Sequence, residues 1–370
     1  MNREAVTIGG HRIKAISSCV RAPRRLYRPG LRLVDACPRP REGDMVLCRA
    51  AGDTGAYDHV EDLGGAPVRI YERDVVLLVL GSRRSGTNLM GEVPEEELRA
   101  GERLHLVAQG GLAARCTSIP AYYAGSAMPF EIVGFVSDEG GNILNLADDP
   151  PIPVAARPGA PAESARLVLV VGTSAETGKT TAVCNLNIAL KRRWPAARTA
   201  AIKACGTGRA KDRLSYAAAN YDLVSDFVDC GYPSTYGMAE AAFRPMLLTL
   251  VGHAARSADL IVVEVGGDFL EGHAPAAIEI MTGLGAACIM MVSDAMGALE
   301  GLRRLTELGR RPTMIGTYRQ NLHALALRLN LDPALVADTE DRAAMDRLAE
   351  RLLDDEPHGR ASPHAAGAVA

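Results

Sequence analysis

The sequence predicts an α/β protein in two parts: a β-rich, barrel-like N-terminal domain, then a parallel sheet with helices on both faces, built around a phosphate-binding loop (P-loop). Three observations predict it. Residues 172–181 read Gly-Thr-Ser-Ala-Glu-Thr-Gly-Lys-Thr-Thr, between an apolar run at 167–171 and a helical pattern at 182–190. Beyond them, strand-sized apolar runs alternate with helical patterns, as in βα units. Before them, short β-type runs follow one another across glycine-containing turns.

Taken in order, the β-type runs of the first part are 44–48, 67–71, 75–80, 104–107 and 131–135. Two connections there, 81–88 with Arg83 and Arg84 and 110–118 with Arg115, carry arginines among hydroxyl and amide groups. Each reads either as an anion-binding loop or as a solvated turn. If the domain selects a substrate, these loops should face the second part. The N-terminal domain is placed at 1–150. The proline-rich stretch from Asp148 to Ala165 cannot sustain helix or ladder, so 151–165 is read as a linker. The P-loop domain follows at 166–354, and 355–370, rich in Ala, Gly, Pro and His, as a flexible tail.

Within the P-loop domain a buried strand at 167–171 delivers the chain to a turn that lets backbone approach an anion. Lys179 is then placed to reach β/γ-phosphates, facing solvent while the loop is empty, and the Thr180 hydroxyl to meet Mg²⁺. A second strand, 199–203, ends in Lys203 and a flexible turn, 204–208. Ligands of open α/β sheets gather at the carboxyl ends of strands, which puts both beside the loop. A third strand, 260–263, is closed by Glu264 with two glycines after it, an arrangement suited to Mg²⁺. Strands at 286–292 and 313–317 follow, the last ending at Tyr318 and Arg319.

Composition narrows the class. With 41 basic and 44 acidic residues, the net charge of -3 gives no electrostatic ground for nucleic acid or an anionic membrane. No apolar stretch is long enough to span a bilayer and no signal peptide opens the chain. Eight scattered cysteines, without metal-site spacing, read as reduced thiols of a cytoplasmic protein. Cys205, His253 and His273 have no partner in sequence that would make them reactive. The segment 232–237 either covers a substrate or connects two helices.

The phosphate loop has five residues between its glycines, Thr173 to Thr177, where the usual pattern has four. In this it resembles dethiobiotin synthetase, as do the lysine-ended strand at 203 and the Val-Val-Glu-x-Gly-Gly pattern at 262–267. The same half is similar to the P-loop domain of the D-glutamate N-acetyltransferase-like family, through Asp226-Phe-Val228 and Val263 to Gly267. Both resemblances cover roughly 166–320 and leave the first part unaddressed.

The first resemblance implies ATP- and Mg²⁺-dependent phosphorylation of a small-molecule oxyanion, a carboxylate above all, for ligation or transfer. It implies that Lys179 and Lys203 neutralise the transferring phosphoryl group and that Glu176 lies near the γ-phosphate or substrate. Gly172, Thr173, Gly178, Thr180 and Thr181 would hold the phosphates. Thr180 and Glu264 would hold Mg²⁺, with Asp212 or Asp226 as further ligands. Gly206, Thr207 and Gly208 would offer donors to a substrate anion, and Tyr318 and Arg319 would meet the base. P-loop relatives with sites at subunit boundaries imply a homodimer. Three alternatives stay open: an N-acyltransferase holding acyl-coenzyme A in the loop, a non-catalytic nucleotide switch, and a structural nucleotide-binding module. Switches of the partition-protein kind carry a lysine where this chain has Thr173.

Overall fold

Apolar residues run almost without a break along N-terminal strands such as 45–48 and 75–80, and both faces of those strands are buried. The structure, a computed structural model, describes residues 6–354 apart from 22–25, 27–29, 53–54, 124 and 157–164. The tail expected at 355–370 and most of the expected linker lie outside the described residues. Five strands close on themselves: β1 (Met45–Ala50), β2 (Val75–Leu80), β3 (Arg103–Ala108), β4 (Leu112–Ser118) and β5 (Pro129–Ser137). Around the ring the order is β1-β2-β4-β3-β5 and back to β1. The β2–β4 pairing, Val79 opposite Leu112, is parallel and the others antiparallel. Closure leaves these strands without a free edge.

Alternate residues of the barrel strands serve two cores. Val46, Cys48, Val76, Leu78, Leu80 and Leu106 fill the barrel. Their neighbours Met45, Leu47, Leu77 and Val79 belong to a cluster that continues into the second half through Leu169, Phe243 and Met246. The outer face of the barrel shares its core with the other half. Of residues 110–118, read as a connection, 112–118 form β4, because Leu112, Ala113 and Ala114 have apolar surroundings on both sides.

The second half is a seven-stranded parallel sheet. Its strands are β6 (Arg166–Gly172), β7 (Thr199–Lys203), β8 (Leu223–Asp226), β9 (Leu260–Glu264), β10 (Ala287–Met291), β11 (Met314–Thr317) and β12 (Val336–Asp338). They lie in the order β8-β7-β9-β6-β10-β11-β12, and sequence reading missed β8 and β12. Helices α1 (Lys179–Arg193), α2 (Ala210–Ala218), α3 (Glu240–Ala255), α4 (Ala274–Gly283), α5 (Ala295–Glu307), α6 (Leu322–Arg328) and α7 (Arg342–Asp354) connect or follow them. Val168 and Val170 of β6 pack toward α1 and α7, whereas Leu169 and Val171 pack with α3 and α4. Burial on both faces is why these strands read as continuous apolar runs. Among the described residues no helix is long and apolar enough to cross a membrane.

Polar contacts fix the barrel on the sheet. Arg21 forms buried ion pairs with Asp226 and, at 2.8 Å, with Asp229. Glu61 accepts from the Ala210 N–H at 2.7 Å and from Arg209 at 3.2 Å, so a barrel-side carboxylate caps α2. Ile152, in the described part of the expected linker, donates to Asp229 O. Arg21→Ala leaves two buried carboxylates without their cation. We expect it to destabilise the chain by about 3–5 kcal/mol; urea unfolding checks this, and a loss below about 1 kcal/mol, the worth of an exposed pair, would contradict the pairing.

Candidate functional site

The phosphate loop is shaped by two glycines. Gly178 precedes α1 with φ 87°, in the left-handed region, and no side chain caps the helix. The first N–H groups of α1 are thus left for an anion. At Gly172 an added Cβ would lie 2.6 Å from Thr177 Oγ1 and 2.8 Å from Lys179 Nζ, so the loop folds back over the strand end only because glycine stands there.

Lys179 does not face solvent, contrary to expectation. It is 6% exposed, and its Nζ donates to Ser174 O at 2.7 Å and Gly267 O at 2.8 Å. The loop closes over its own lysine. Burial, helped by the charge of Lys203, pulls the Lys179 pKa down to about 8. Glu176 is exposed on the loop, and its carbonyl accepts from Tyr318 OH at 2.6 Å. Thr180 and Thr181 line the cleft, as does Gly178. Thr173 does not: its N–H donates to Met291 O, and its side chain packs against Gly297 and Gly301 of α5. The phosphate-holding role expected for Thr173 is therefore not supported by its position, and Gly172 is buried at the strand end behind Lys179.

Beside the loop, β7 and β9 end in opposite charges at the same register, Lys203 opposite Glu264. Lys203 Nζ pairs with Glu264 Oε1 and lies 3.1 Å from Asp212 Oδ2. Glu264, 1% exposed, also accepts from Tyr216 OH and from Thr180 Oγ1 at 3.2 Å. Thr180 Oγ1 lies 3.5 Å from Asp212 Oδ1 as well. Burial alone would lower the Lys203 pKa, but Asp212 and Glu264 override it and hold the ammonium charged. Burial likewise raises the Asp212 carboxyl, and Lys203 outweighs it, holding the group below the usual range. Sequence reading missed Tyr216. Its signal was the spacing: Asp212 and Tyr216 stand four apart on α2 and share a face.

Other expectations need correction. Asp226 ends β8 next to Lys203 in register, yet its carboxylate is held by Arg21 and caps Val228 N at 2.8 Å, so it is not free for a metal. The N–H of Gly206 donates to Thr235 Oγ1 at 3.0 Å and that of Gly208 to Pro233 O at 2.9 Å. Neither glycine has a backbone donor left for a substrate. Thr207 does line the cleft. The 232–237 segment thus holds the 206–208 turn in place. Cys205 is buried, its thiol pushed up to about 11 by that burial, and it donates to Gly266 O. His273 stacks on Phe243 and His253 pairs with Arg256; neither lines the cleft.

These groups open on a cleft of about 910 Å³, near the upper end of ligand pockets. One end is walled by Tyr318, Arg319, Asp338 and Asp341, after β11 and β12. The other is walled by the barrel, through Arg83, Arg84 and Asn88 of the 81–88 connection. That connection faces the phosphate loop; its companion at 110–118 is strand. Glu271, also missed in the sequence, lines the cleft near Lys179 and Arg83, and its carboxyl is raised by burial and by Asp268.

No family model matches this chain, and no curated protein matches it. Among solved structures it is similar to the hydrogenase maturation factor HypB from Archaeoglobus fulgidus, at 16% identity over 50% of this chain and 77% of that one, with a TM-score of 0.29. It is also similar to the signal recognition particle receptor FtsY from Elizabethkingia anophelis, at 13% identity over 57% of this chain and 60% of that one, again with a TM-score of 0.29.

The buried Lys179 has a consequence for stability. The folded chain sheds its proton near pH 8, whereas the unfolded chain keeps it to about 10.5, so the unfolded state binds more protons between those values. Stability therefore rises with pH across that window, and the penalty is fully present below it. We expect the urea-derived stability of the native chain minus that of Lys179→Met to increase from about pH 7 to pH 10, by up to about 1 kcal/mol per unit. A flat difference would contradict the depressed pKa.

Proposed function

We propose that the chain is an ATP- and Mg²⁺-dependent enzyme that transfers the γ-phosphoryl group to an oxyanion of a small molecule, a carboxylate above all, activating it for ligation or transfer. The observation that carries this reading is the convergence of Lys179, Thr180, Lys203, Asp212 and Glu264 at the carboxyl ends of β6, β7 and β9. Phosphoryl transfer depends chiefly on positioning and charge, and this is the set of charges it needs.

The donor set suits Mg²⁺. Thr180 Oγ1, Glu264 and Asp212 bring hard oxygen atoms together, and Mg²⁺ is commonly held by one or two carboxylates plus substrate phosphates. Bound there, the ion would neutralise charge building on the phosphate oxygens. The N–H groups at the start of α1 would take the β-phosphate. Lys179 would exchange its two carbonyl partners for phosphate oxygens, and Lys203 would hold the acceptor oxyanion in line. In the transfer, the bond from the γ-phosphorus to the bridging oxygen breaks, one from phosphorus to the acceptor oxygen forms, and ADP leaves. The wall formed by Tyr318 and Arg319 would meet the base.

The expected assay is ADP formation when the protein is incubated with ATP, Mg²⁺ and a metabolite pool, with GTP as the second nucleotide. Free thiol release from acetyl-coenzyme A without ADP would instead support the acyltransferase alternative. Lys179→Ala should lower turnover about 100- to 1,000-fold while the chain stays folded; retained activity would remove the mechanism. Glu264→Gln should raise the Mg²⁺ concentration for half-maximal turnover more than it weakens nucleotide binding, and an unchanged metal titration would end its proposed role. Absence of calorimetric heat with ATP, GTP and acetyl-coenzyme A alike would overturn the whole reading.

A further inference from the structure

The barrel side of the cleft holds a buried cation whose hydrogen bonding is incomplete. Arg83 is 6% exposed yet lines the cleft. Its Nη1 donates to Val107 O at 2.7 Å and to Tyr57 OH at 3.0 Å, which fixes the plane of the guanidinium. Its Nε is buried and has no hydrogen-bond partner. Among the described residues no carboxylate makes an ion pair with Arg83; Glu271 lies within its field, with a carboxyl that burial drives toward the neutral form. A guanidinium cannot shed its charge, and a buried cation without a counter-ion is costly.

The surrounding side chains are ordered as well. Asn88 Oδ1 accepts from Tyr57 OH at 3.2 Å and from Tyr123 OH at 3.0 Å, and the two tyrosine rings meet edge to face. This turns the Asn88 amide nitrogen away from them, where it donates to Thr87 Oγ1. Arg84, next along, stacks over Tyr236 of the other half and closes that end of the cleft. Rigid donors backed by a second layer of hydrogen bonds are what a binding subsite requires.

We infer that the Arg83 guanidinium, which lines the cleft without a carboxylate partner, binds an anionic group of the acceptor, distinct from the oxygen that receives the phosphoryl group. The barrel domain thereby selects acceptors carrying a carboxylate or phosphonate-like tail at the end of the cleft away from the base. The fork geometry of arginine suits both kinds of oxyanion. This inference rests on the phosphoryl-transfer reading, because it takes the phosphate loop to be filled by nucleotide.

The test uses the full chain saturated with a non-hydrolysable ATP analogue and Mg²⁺, which keeps probe anions out of the phosphate loop. Acetate and methylphosphonate are the probes, read by saturation-transfer NMR. At least one should receive saturation from the native chain, and its affinity should fall roughly tenfold to a hundredfold in Arg83→Met. Arg83→Lys, which keeps the charge without the fork, should retain part of it, and this variant decides the matter if Arg83→Met fails to fold. Preference for acetate or for methylphosphonate identifies the tail. No saturation of either probe by the native chain, or equal saturation with and without Arg83, overturns the inference. Calorimetry with the analogue is the separate readout for the phosphate loop: if it shows no binding, the proposed function fails, while the same probes on the unfilled chain still decide Arg83.

Discussion

The ion cluster in which Lys203 is held between Asp212 and Glu264 ties the two halves of the chain to one site. Its three charged members come from β7, α2 and β9, and it holds only if all three elements are fixed. The sheet register places Lys203 opposite Glu264. Helix α2 places Asp212, and the N-terminus of α2 is held by Glu61 from the barrel side. A burial that would destabilise any one of these charges alone becomes tolerable because they neutralise one another and Tyr216 takes up the remaining Glu264 oxygen. The barrel is thus part of the site twice over: it forms one wall, and it fixes the helix that bears an acid of the cluster.

The same coupling appears in the apolar packing. A free-standing barrel has one buried face per strand, with polar residues alternating outward. Here Leu77 and Val79 of β2 are as fully buried as Leu78 and Leu80, because the outer face is covered by the sheet half. Arg21 with Asp226 and Asp229 adds a charged contact within that interface. A barrel that could drift relative to the sheet would expose Leu77 and Val79, so the cleft between them has the rigidity of a core.

Local patterns in the sequence were legible and distant pairings were not. Five sheet strands, five β-type runs before them, the phosphate loop and the positions of Lys203 and Glu264 followed from periodicity and glycine placement. The short strands β8 and β12 carry too few apolar residues for a period to emerge. The 110–118 run was misread because its small residues and arginine resemble a loop, although alanine suffices where neighbouring strands cover it on both sides. Asp226 failed as a metal ligand because its partner, Arg21, is 205 positions away. Gly206 and Gly208 failed as donors because a third segment, 232–237, accepts from both. Each is a contact made by tertiary packing, where spacing along the chain carries no information.

The two lysines of the site show how the same burial gives opposite results. Lys203 meets carboxylates, so its charge is held and already balanced. Lys179 meets only the carbonyl oxygens of Ser174 and Gly267, dipoles that satisfy its hydrogens without cancelling its charge, and its pKa falls. An anion entering the loop gains from the second lysine what the first has already given to Asp212 and Glu264. In the proposed reaction Lys179 and the open end of α1 would therefore supply the attraction for a phosphate. Lys203 supplies position, since moving it breaks two ion pairs at once. The division follows from which backbone and side-chain oxygens surround each ammonium.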